Sequence, residues 1–380
     1  MKRILSLGFA ALLAAMTPAF AQQAPIKVGT IFPLSGGAGP DGQSVTNGAK
    51  LALEQINEKG GLLGRKLVLI SKDDESTPAV GVSRANELIA EKVDVVIEGW
   101  NSPVTLAMQP ILARAGILDI TTVSKADLIL AGKSNPLAIR INSSNGLDAA
   151  VIAKNVAETL KSKKIAFHTQ NDAYGNGSQT AVEAEFKKMN FSPEVITEKF
   201  AFKDTDFRVQ LTNIKAANVD AVIVTSASNS SGLPATIEQY RQADIKAAFV
   251  GAVGIMLPTV FKIAGDANNG IVSADIYFWD LPPFATIPEN VSFVAAYKKA
   301  YGVEPDKSAA LGAGAVQVWA GAVEQTKSLD RKTVAEAIRG KTIKGTLFGD
   351  ATFLPNGQMQ PRYVVFKVVD GKNAKLEALQ

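Results

Sequence analysis

The feature that most restricts the fold of this sequence is a regular alternation of β-rich and helix-periodic segments. Ile26–Phe32 is rich in β-branched and aromatic residues, and the segment 45–56 places apolar residues at helical spacing. Further strands are predicted at Lys66–Ser71 and Val93–Glu98, with a helix at Pro78–Ala90 between them. Strands that alternate with helices of about 10–15 residues indicate βαβ units, in which helices cover both faces of a parallel sheet.

The same alternation starts again at Lys164–Thr169, so the 380 residues contain two βα arrays of similar size. Polar breaks at Asn142–Gly146 and Asp280–Pro283 are too short to be flexible linkers. We therefore predict an α/β fold of two doubly wound parallel-sheet lobes, between which the chain crosses more than once. Ligands of such folds bind in the cleft between domains, at the carboxyl ends of the strands.

The first 21 residues have the pattern of a secretory signal. Lys2 and Arg3 precede an apolar stretch, Ile4–Ala15, that is too short to span a bilayer, and Ala19-Phe20-Ala21 supplies a small-x-small cleavage pattern. We expect export and cleavage after Ala21. Loss of Lys2 and Arg3 lowers the formal net charge from +4 to +2, and no basic cluster predicts a nucleic-acid partner.

The sequence offers few residues for catalysis. It has no cysteine and one histidine, His168, which is predicted to be a satisfied residue at a strand end and not a base. No serine lies in a G-x-S-x-G turn. Asp73-Asp74-Glu75 is most simply a solvated turn, not a metal site. We expect no enzymatic activity, no metal and no cofactor.

One alternative is a nicotinamide-dependent oxidoreductase. Gly37–Gly42 matches G-x-G-x-x-G between a strand and a helix, which is the context of a dinucleotide fingerprint. The acidic residues that could bind the ribose, Asp73 and Asp74, begin 31 residues after Gly42, whereas the usual spacing is ~20. Pro40 also removes one of the amides that a phosphate needs. We therefore prefer a glycine-shaped turn or a ligand-facing loop.

Hydroxyl side chains follow two consecutive strands of the first array. Ser102 is placed to cap the next helix, with Pro103 as its first residue and the amides of Val104 and Thr105 free. The same geometry fits two roles, a helix cap and an anion site for a ligand carboxylate.

Ser124 follows the next strand and forms a possible capping box with Asp127. Because consecutive parallel strands end at one rim, we expect the hydroxyls of Ser102 and Ser124 to form a carboxylate cradle. Tyr174 follows the first strand of the second array and could cover the ligand from the opposite lobe.

Two motifs resemble a known family. The stretch Asn57-Glu58-Lys59-Gly60-Gly61-Leu62-Leu63-Gly64-Arg65 and the later Asp172-Ala173-Tyr174-Gly175-Asn176-Gly177 resemble the periplasmic Leu/Ile/Val-binding proteins, the type I solute-binding proteins of ABC importers. The resemblance covers nearly all of the mature chain. It implies a periplasmic monomer that closes on a small carboxylate, an amino acid or an organic acid, and presents it to permease subunits.

The resemblance also implies a division into two lobes joined by three crossovers. We assign residues 22–142 and 278–360 to the N-terminal lobe, and residues 143–277 and 361–380 to the C-terminal lobe. A signalling role is the alternative on the same fold, in which the protein is the ligand-sensing partner of a receptor.

Carried over residue by residue, the resemblance assigns Ser102 to the ligand carboxylate, and Ser124 to both the carboxylate and the amino group. It places the Thr122 carbonyl near the ligand and Tyr174 on the opposite lobe. The remaining expected ligand-site residues are neighbours of these or belong to the second-lobe wall: Trp100, Asn101, Val123, Ser226 and Ala227.

The sequence departs from the family at two positions. Val253 stands where branched-chain amino acid binders have a carboxylate for the α-ammonium group, and Asp41 stands where they tend to have an aromatic residue. An α-ammonium group would therefore need Asp41 or Asp172 as its anion. Otherwise the ligand is an aromatic or aliphatic acid without an amino group.

Overall fold

The computed structural model describes residues 24–131, 135–372 and 374–379. The predicted signal and its cleavage site lie outside these residues. The strands are β1 (Ile26–Phe32), β2 (Leu67–Asp73), β3 (Val95–Glu98), β4 (Leu118–Thr121), β5 (Ala138–Arg140), β6 (Lys164–Gln170), β7 (Glu194–Phe200), β8 (Ala221–Thr225), β9 (Ala248–Gly251), β10 (Val272–Asp275), β11 (Thr342–Thr346), β12 (Gly349–Thr352), β13 (Val364–Asp370) and β14 (Lys375–Leu379).

Helices connect most of these strands, as the alternation in the sequence predicts. They are α1 (Gly39–Glu58), α2 (Pro78–Ala90), α3 (Ser102–Arg114), α4 (Asn145–Lys154), α5 (Ala173–Lys188), α6 (Arg208–Ala217), α7 (Gly232–Gln242), α8 (Pro258–Ala264), α9 (Pro288–Tyr301), α10 (Lys307–Thr326) and α11 (Arg331–Ile338). Within the described ranges, no helix is long and apolar enough to cross a membrane.

The strands form two separate main sheets, one for each lobe. The first is parallel throughout, in the order β2-β1-β3-β4-β5, and the second has the order β14-β13-β10-β9-β8-β6-β7. Strands β13 and β14 join the second sheet antiparallel. Strands β1, β3, β4 and β5 are almost fully buried, as expected for a parallel sheet covered on both faces. The predicted two-lobed α/β class is confirmed.

The chain crosses between the lobes three times, in the connections 141–144, 276–287 and 353–363. Helices α10 and α11 pack against α1 and the first sheet, so they belong to the first lobe. The predicted boundaries at 142, 277 and 360 fall inside these connections; the assignment of single residues to a lobe stays a prediction.

Several elements differ from the sequence-based expectation. The polar run near Asn142 contains the N-cap of the unpredicted helix α4, since the Ser144 hydroxyl accepts a hydrogen bond from Leu147 N at 3.3 Å. The sequence pattern does not predict helix α8 or strand β14. It predicts one strand at Thr346–Phe353, where the structure has part of the β11–β12 hairpin. Short elements carry too few residues for a clear hydrophobic period.

Two glycines bring α10 back against α1 in the first lobe. A Cβ on Gly48 would lie 1.9 Å from the Ala309 carbonyl oxygen, and a Cβ on Gly312 would lie 2.0 Å from that of Val45. The helix backbones therefore approach more closely than any side chain would permit. This contact fixes the N-terminus of α10, and with it Lys307, at the edge of the cleft.

We expect Gly312→Ala to lower the free energy of unfolding by about 1–3 kcal/mol, because the added methyl forces two backbones apart. Urea unfolding followed by circular dichroism measures the change. Gly146→Ala is the matched control, because its Cβ would meet only the Asp127 carboxylate, at 3.3 Å. Equal free energies of unfolding for Gly312→Ala and wild type would show that the two helices can move apart without loss of stability.

Candidate functional site

A cavity lies between the lobes, at the carboxyl ends of strands from both sheets. It encloses about 460 Å³ of space between atoms, open solvent included, which is within the usual size of a small-molecule site. Nine of the twelve predicted site residues line it: Trp100, Asn101, Ser102, Val123, Asp172, Tyr174, Ser226, Ala227 and Val253. The other three, Asp41, Thr122 and Ser124, are not part of its lining.

Ser102 lines the cavity but is not the N-cap that the sequence suggested. The helix α3 begins at Ser102, and Asn101 occupies the N-cap position without a side-chain cap. The Ser102 hydroxyl instead accepts hydrogen bonds from Lys125 N and Ala126 N, both at 3.2 Å. It therefore ties the loop after β4 to the start of α3.

The backbone amides expected to hold an anion are already bonded. Val104 N and Thr105 N both donate to the Asn101 carbonyl, at 2.9 and 3.1 Å. These two amides are not free, so the predicted amide part of the carboxylate cradle is wrong.

Ser124 and Thr122 are bonded within the first lobe. The hydroxyls of Ser124 and Thr105 lie 2.8 Å apart, and Thr122 Oγ1 donates to the carbonyls of Glu98 and Gly99. The predicted capping box is also wrong, because the short helical turn begins at Asp127 with Ala126 before it. The expected cradle of two converging serine hydroxyls is therefore not formed.

Asp41 lies in the first turn of α1 and contacts the second lobe. Its Oδ1 accepts a hydrogen bond from Thr259 Oγ1 at 3.2 Å, and its other oxygen is buried without a partner among the described residues. Burial and the nearby Asp306 carboxylate raise the pKa of Asp41 to about 7. It contributes to the contact between the lobes, outside the cavity lining.

Two predicted residues of the second lobe are held by the start of α5. Asp172 is the N-cap of α5: its Oδ1 accepts from Tyr174 N at 2.9 Å and Gly175 N at 3.0 Å. Its Oδ2 accepts a hydrogen bond from Gln170 Nε2. Both oxygens of the carboxylate thus accept hydrogen bonds from the protein, and Asp172 lines the cavity together with Tyr174, which this cap fixes.

The sequence reasoning missed seven lining residues: Lys125, Gln170, Asn229, Gly254, Ile255, Leu257 and Lys307. The two lysines matter most, because both are only 4% exposed. Lys125 Nζ donates to Asp148 Oδ2 at 2.6 Å and to the Val253 carbonyl at 2.8 Å. Lys307 Nζ donates to the Gly254 carbonyl at 2.6 Å.

One of these lysines carried a signal in the sequence. Lys307 is the first residue of α10, directly after the N-cap Asp306. A cation at a helix N-terminus opposes the helix dipole, so a lysine there needs a separate reason. The sequence around Lys125 contains no comparable signal.

Some polar atoms of the lining residues have no hydrogen-bond partner among the described residues. These buried atoms are Trp100 Nε1, Asn101 Oδ1 and Asn229 Oδ1. Buried polar groups are normally paired with protein or water. The unpaired atoms therefore leave donors and acceptors for water or a bound molecule.

A buried pair of carboxyl groups supports the cleft wall of the first lobe. Glu98 accepts hydrogen bonds from Thr105 Oγ1 at 2.7 Å and Thr121 Oγ1 at 2.8 Å. Burial raises the pKa of Glu98 and of its neighbour Asp119. Asp74 is also fully buried, so the solvated turn predicted there is wrong, and burial raises its pKa to about 7.

The alternative chemistries gain no support from the site. In the segment Gly37–Gly42, packing explains Gly42, since a Cβ there would lie 1.9 Å from the Pro33 carbonyl oxygen. His168 is buried between Phe200 and Phe207, and burial lowers its pKa to about 3. Neither ring nitrogen has a partner in the described part of the chain, so the expected satisfied histidine is wrong. The described residues contain no cluster suited to a metal ion.

Comparisons with known proteins agree with this architecture. A family model described as "Periplasmic binding protein" matches residues 25–373. Leu/Ile/Val-binding protein BraC3 of Rhizobium johnstonii is 31% identical over 368 residues, which cover 96% of this chain and 97% of that protein.

Two solved structures are similar over nearly the whole chain. Leucine-binding protein LivK of Thermotoga maritima has a TM-score of 0.84 at 25% identity, covering 93% of this chain and 98% of its own. A solute-binding protein of an ABC transporter from R. palustris, in complex with benzoate, has a TM-score of 0.82 at 26% identity, covering 94% of this chain and 96% of its own.

The buried carboxyl pair predicts a dependence of stability on pH. Because burial raises the pKa of both groups, these two carboxyl groups bind more protons in the folded protein than in the unfolded chain above about pH 4, and their contribution to the free energy of unfolding falls as pH rises. We expect Asp119→Asn to reduce the slope of the free energy of unfolding against pH, by up to ~1.4 kcal/mol per pH unit.

Urea unfolding at about pH 5 and about pH 7.5 measures the difference. Asp206→Asn is the control, because Arg208 lowers the pKa of Asp206 to about 2 and keeps it ionised throughout this range. The same pH dependence in Asp119→Asn and wild type would contradict the proposed burial effect.

Proposed function

Because the chain belongs to the periplasmic binding protein family, we propose that it captures a small carboxylate between its lobes and delivers it to an ABC importer. The observation that carries this proposal is the buried inter-lobe cavity, in which residues from strand ends of both lobes meet. We propose that it acts by binding and not by catalysis, because the described residues that line the cavity form no nucleophile–base arrangement.

The contacts across the cleft support a closing motion. Lys125 and Lys307 of the first lobe donate to the Val253 and Gly254 carbonyls of the second. At the rim, Ser230 Oγ of the second lobe donates to the Gly37 carbonyl of the first. Each of these contacts exists only while the lobes are together, so the described arrangement is the closed one. A ligand that touches both lobes stabilises this closed state relative to an open one.

We infer the ligand class from the cavity lining and from the ligands named for similar proteins. LivK is named a leucine-binding protein, and the R. palustris protein was solved with benzoate. Leucine and benzoate share a carboxylate and an apolar body. The cavity offers both kinds of contact, with lysines and hydroxyls beside Trp100, Val123 and Leu257. We therefore propose a small carboxylate with an apolar group as the ligand.

Membership of the family supports the cell compartment and the partners that we propose. Residues 1–21 serve as a cleaved leader, and the mature protein acts in the periplasm as a monomer that docks on permease subunits. We prefer transport over sensing or redox chemistry, because no feature of the described residues favours the other two.

A disulfide across the cleft tests closure directly, and the chain has no cysteine of its own. A Cβ on Gly37 would lie 3.2 Å from Ser231 Oγ, which is within the reach of a disulfide. We expect oxidised Gly37→Cys/Ser231→Cys to bind benzoate or L-leucine at least ~100-fold more slowly than the reduced protein, because ligand enters only when the lobes separate.

Stopped-flow tryptophan fluorescence measures association, and each single variant is a control under oxidising and reducing conditions. Equal association rates in the oxidised and reduced double variant would exclude gating by the lobes. Thermal-shift screening of wild type against small carboxylates tests the ligand class; no shift with any of them would overturn the proposed function.

A further inference from the structure

The two buried lysines of the cavity carry an inference about its ligand, which rests on the proposed function. We propose that Lys125 and Lys307 together bind the ligand's carboxylate, and that the site selects apolar monocarboxylates without an α-amino group. In this assignment the lysines are the specificity-determining residues of the site.

Lys125 has a hydrogen-bond donor to spare. An ammonium group has three N–H donors, and within the described residues Lys125 uses two, toward Asp148 Oδ2 and the Val253 carbonyl. Its side chain is buried, and burial lowers its pKa despite the Asp148 carboxylate. One carboxylate therefore does not fully compensate the loss of water around this cation. A ligand anion in the adjoining cavity supplies the missing partner.

Lys307 is less fully paired. It donates to the Gly254 carbonyl, but the nearest oxygen of Asp275 is 3.7 Å away, beyond hydrogen-bond distance. Asp275 is itself bonded to Ile276 N at 2.7 Å. Lys307 therefore has at least one donor that no described residue takes up.

The loop of the second lobe is shaped to receive Lys307. Gly254 has a φ of +77°, and a Cβ there would lie 2.0 Å from Lys307 Nζ. Any larger residue would displace the ammonium group from the loop carbonyl. The glycine therefore permits this cation to sit at the cavity wall.

Asp172 is the one carboxylate among the described lining residues, and it already caps helix α5. Both oxygens of Asp172 are bonded to the protein, and Asp41 lies outside the lining. Asp148 is bonded to Lys125 and to the Tyr363 hydroxyl, and Asp306 accepts from Ser44 Oγ and Ala309 N. An amino acid would bring a third cation beside two lysines, and in the lining only Asp172, already bonded to three neutral donors, would be there to receive it.

The rest of the lining is suited to an apolar ligand body. Apolar side chains from both lobes face the cavity, and they are Trp100, Val123, Tyr174, Val253, Ile255 and Leu257. An apolar group of aromatic or branched aliphatic shape would bury its surface against them. The inferred ligand is thus an acid at one end and apolar at the other.

Two matched sets of probes test this selectivity by isothermal titration calorimetry of the full mature chain. The first is 4-methylpentanoate, L-leucine and 3-methylbutylamine; the second is 3-phenylpropanoate, L-phenylalanine and 2-phenylethylamine. We expect at least one acid to bind at least tenfold more tightly than its matching amino acid, and the amines not to bind.

Substitution of the lysines tests their role. We expect Lys307→Met to weaken binding of the acid at least tenfold, and the double variant Lys125→Met/Asp148→Asn to do the same without leaving a buried unpaired carboxylate. Lys332→Met is the matched control, because Lys332 is on an exposed helix face. Circular dichroism and the melting temperature establish that each variant is folded.

Each outcome separates the inference from the proposed function. Tighter binding of L-leucine or L-phenylalanine than of the matching acids would overturn the inference and leave the proposed function standing. Acid binding that is unchanged in folded Lys307→Met and in the double variant would show that the lysines are structural. If no acid or amino acid bound in either set or in the wider carboxylate screen, the proposed function would fall with the inference.

Discussion

The site depends on one constraint, that parallel strands of a sheet deliver their carboxyl ends to the same edge. In this chain β3 and β4 of the first lobe lead into Trp100, Asn101, Ser102 and Val123, while β6, β8 and β9 of the second lead into Asp172, Ser226 and Val253. Three crossings of the chain hold the two edges opposite each other. The cavity is therefore a consequence of strand order, and loop sequences then determine what it binds.

This constraint explains which parts of the site the sequence could predict. The order of strands and helices is visible in hydrophobic periodicity, so the strand-end loops were found and most of their predicted residues line the cavity. The direction of each side chain depends on register. The N-cap of α3 lies one residue earlier than the sequence predicts, at Asn101. The Ser102 hydroxyl is therefore free to accept a hydrogen bond from Lys125 N. Lys307 comes from α10, more than 180 residues after Lys125, and reaches the cleft only because Gly48 and Gly312 let two helices pack backbone to backbone.

The hydroxyls that first suggested a carboxylate cradle have a different part in this arrangement. Ser124 contacts Thr105, which donates to Glu98, and Thr122 donates to the backbone of the same strand end. The Ser102 hydroxyl accepts a hydrogen bond from the Lys125 backbone amide. Together these bonds fix the loop from which the Lys125 side chain extends to the second lobe. The polar groups at the strand ends thus hold a cation in position, and the cation, in the proposed mechanism, holds the ligand.

In the proposed mechanism, ligand selection and lobe closure follow from one electrostatic balance. With the lobes apart, water solvates both ammonium groups; closure removes that water, which costs several kcal/mol per ion unless other partners replace it. The second lobe supplies Asp148 and the Val253 carbonyl to Lys125, but only the Gly254 carbonyl to Lys307 at hydrogen-bond distance. An anionic ligand supplies the hydrogen-bond partners that the two ammonium groups still lack. It therefore lowers the free energy of the closed state more than that of the open state. A zwitterion offers the same carboxylate but also buries an ammonium group beside the two lysines, and this cost opposes the closure that its carboxylate favours.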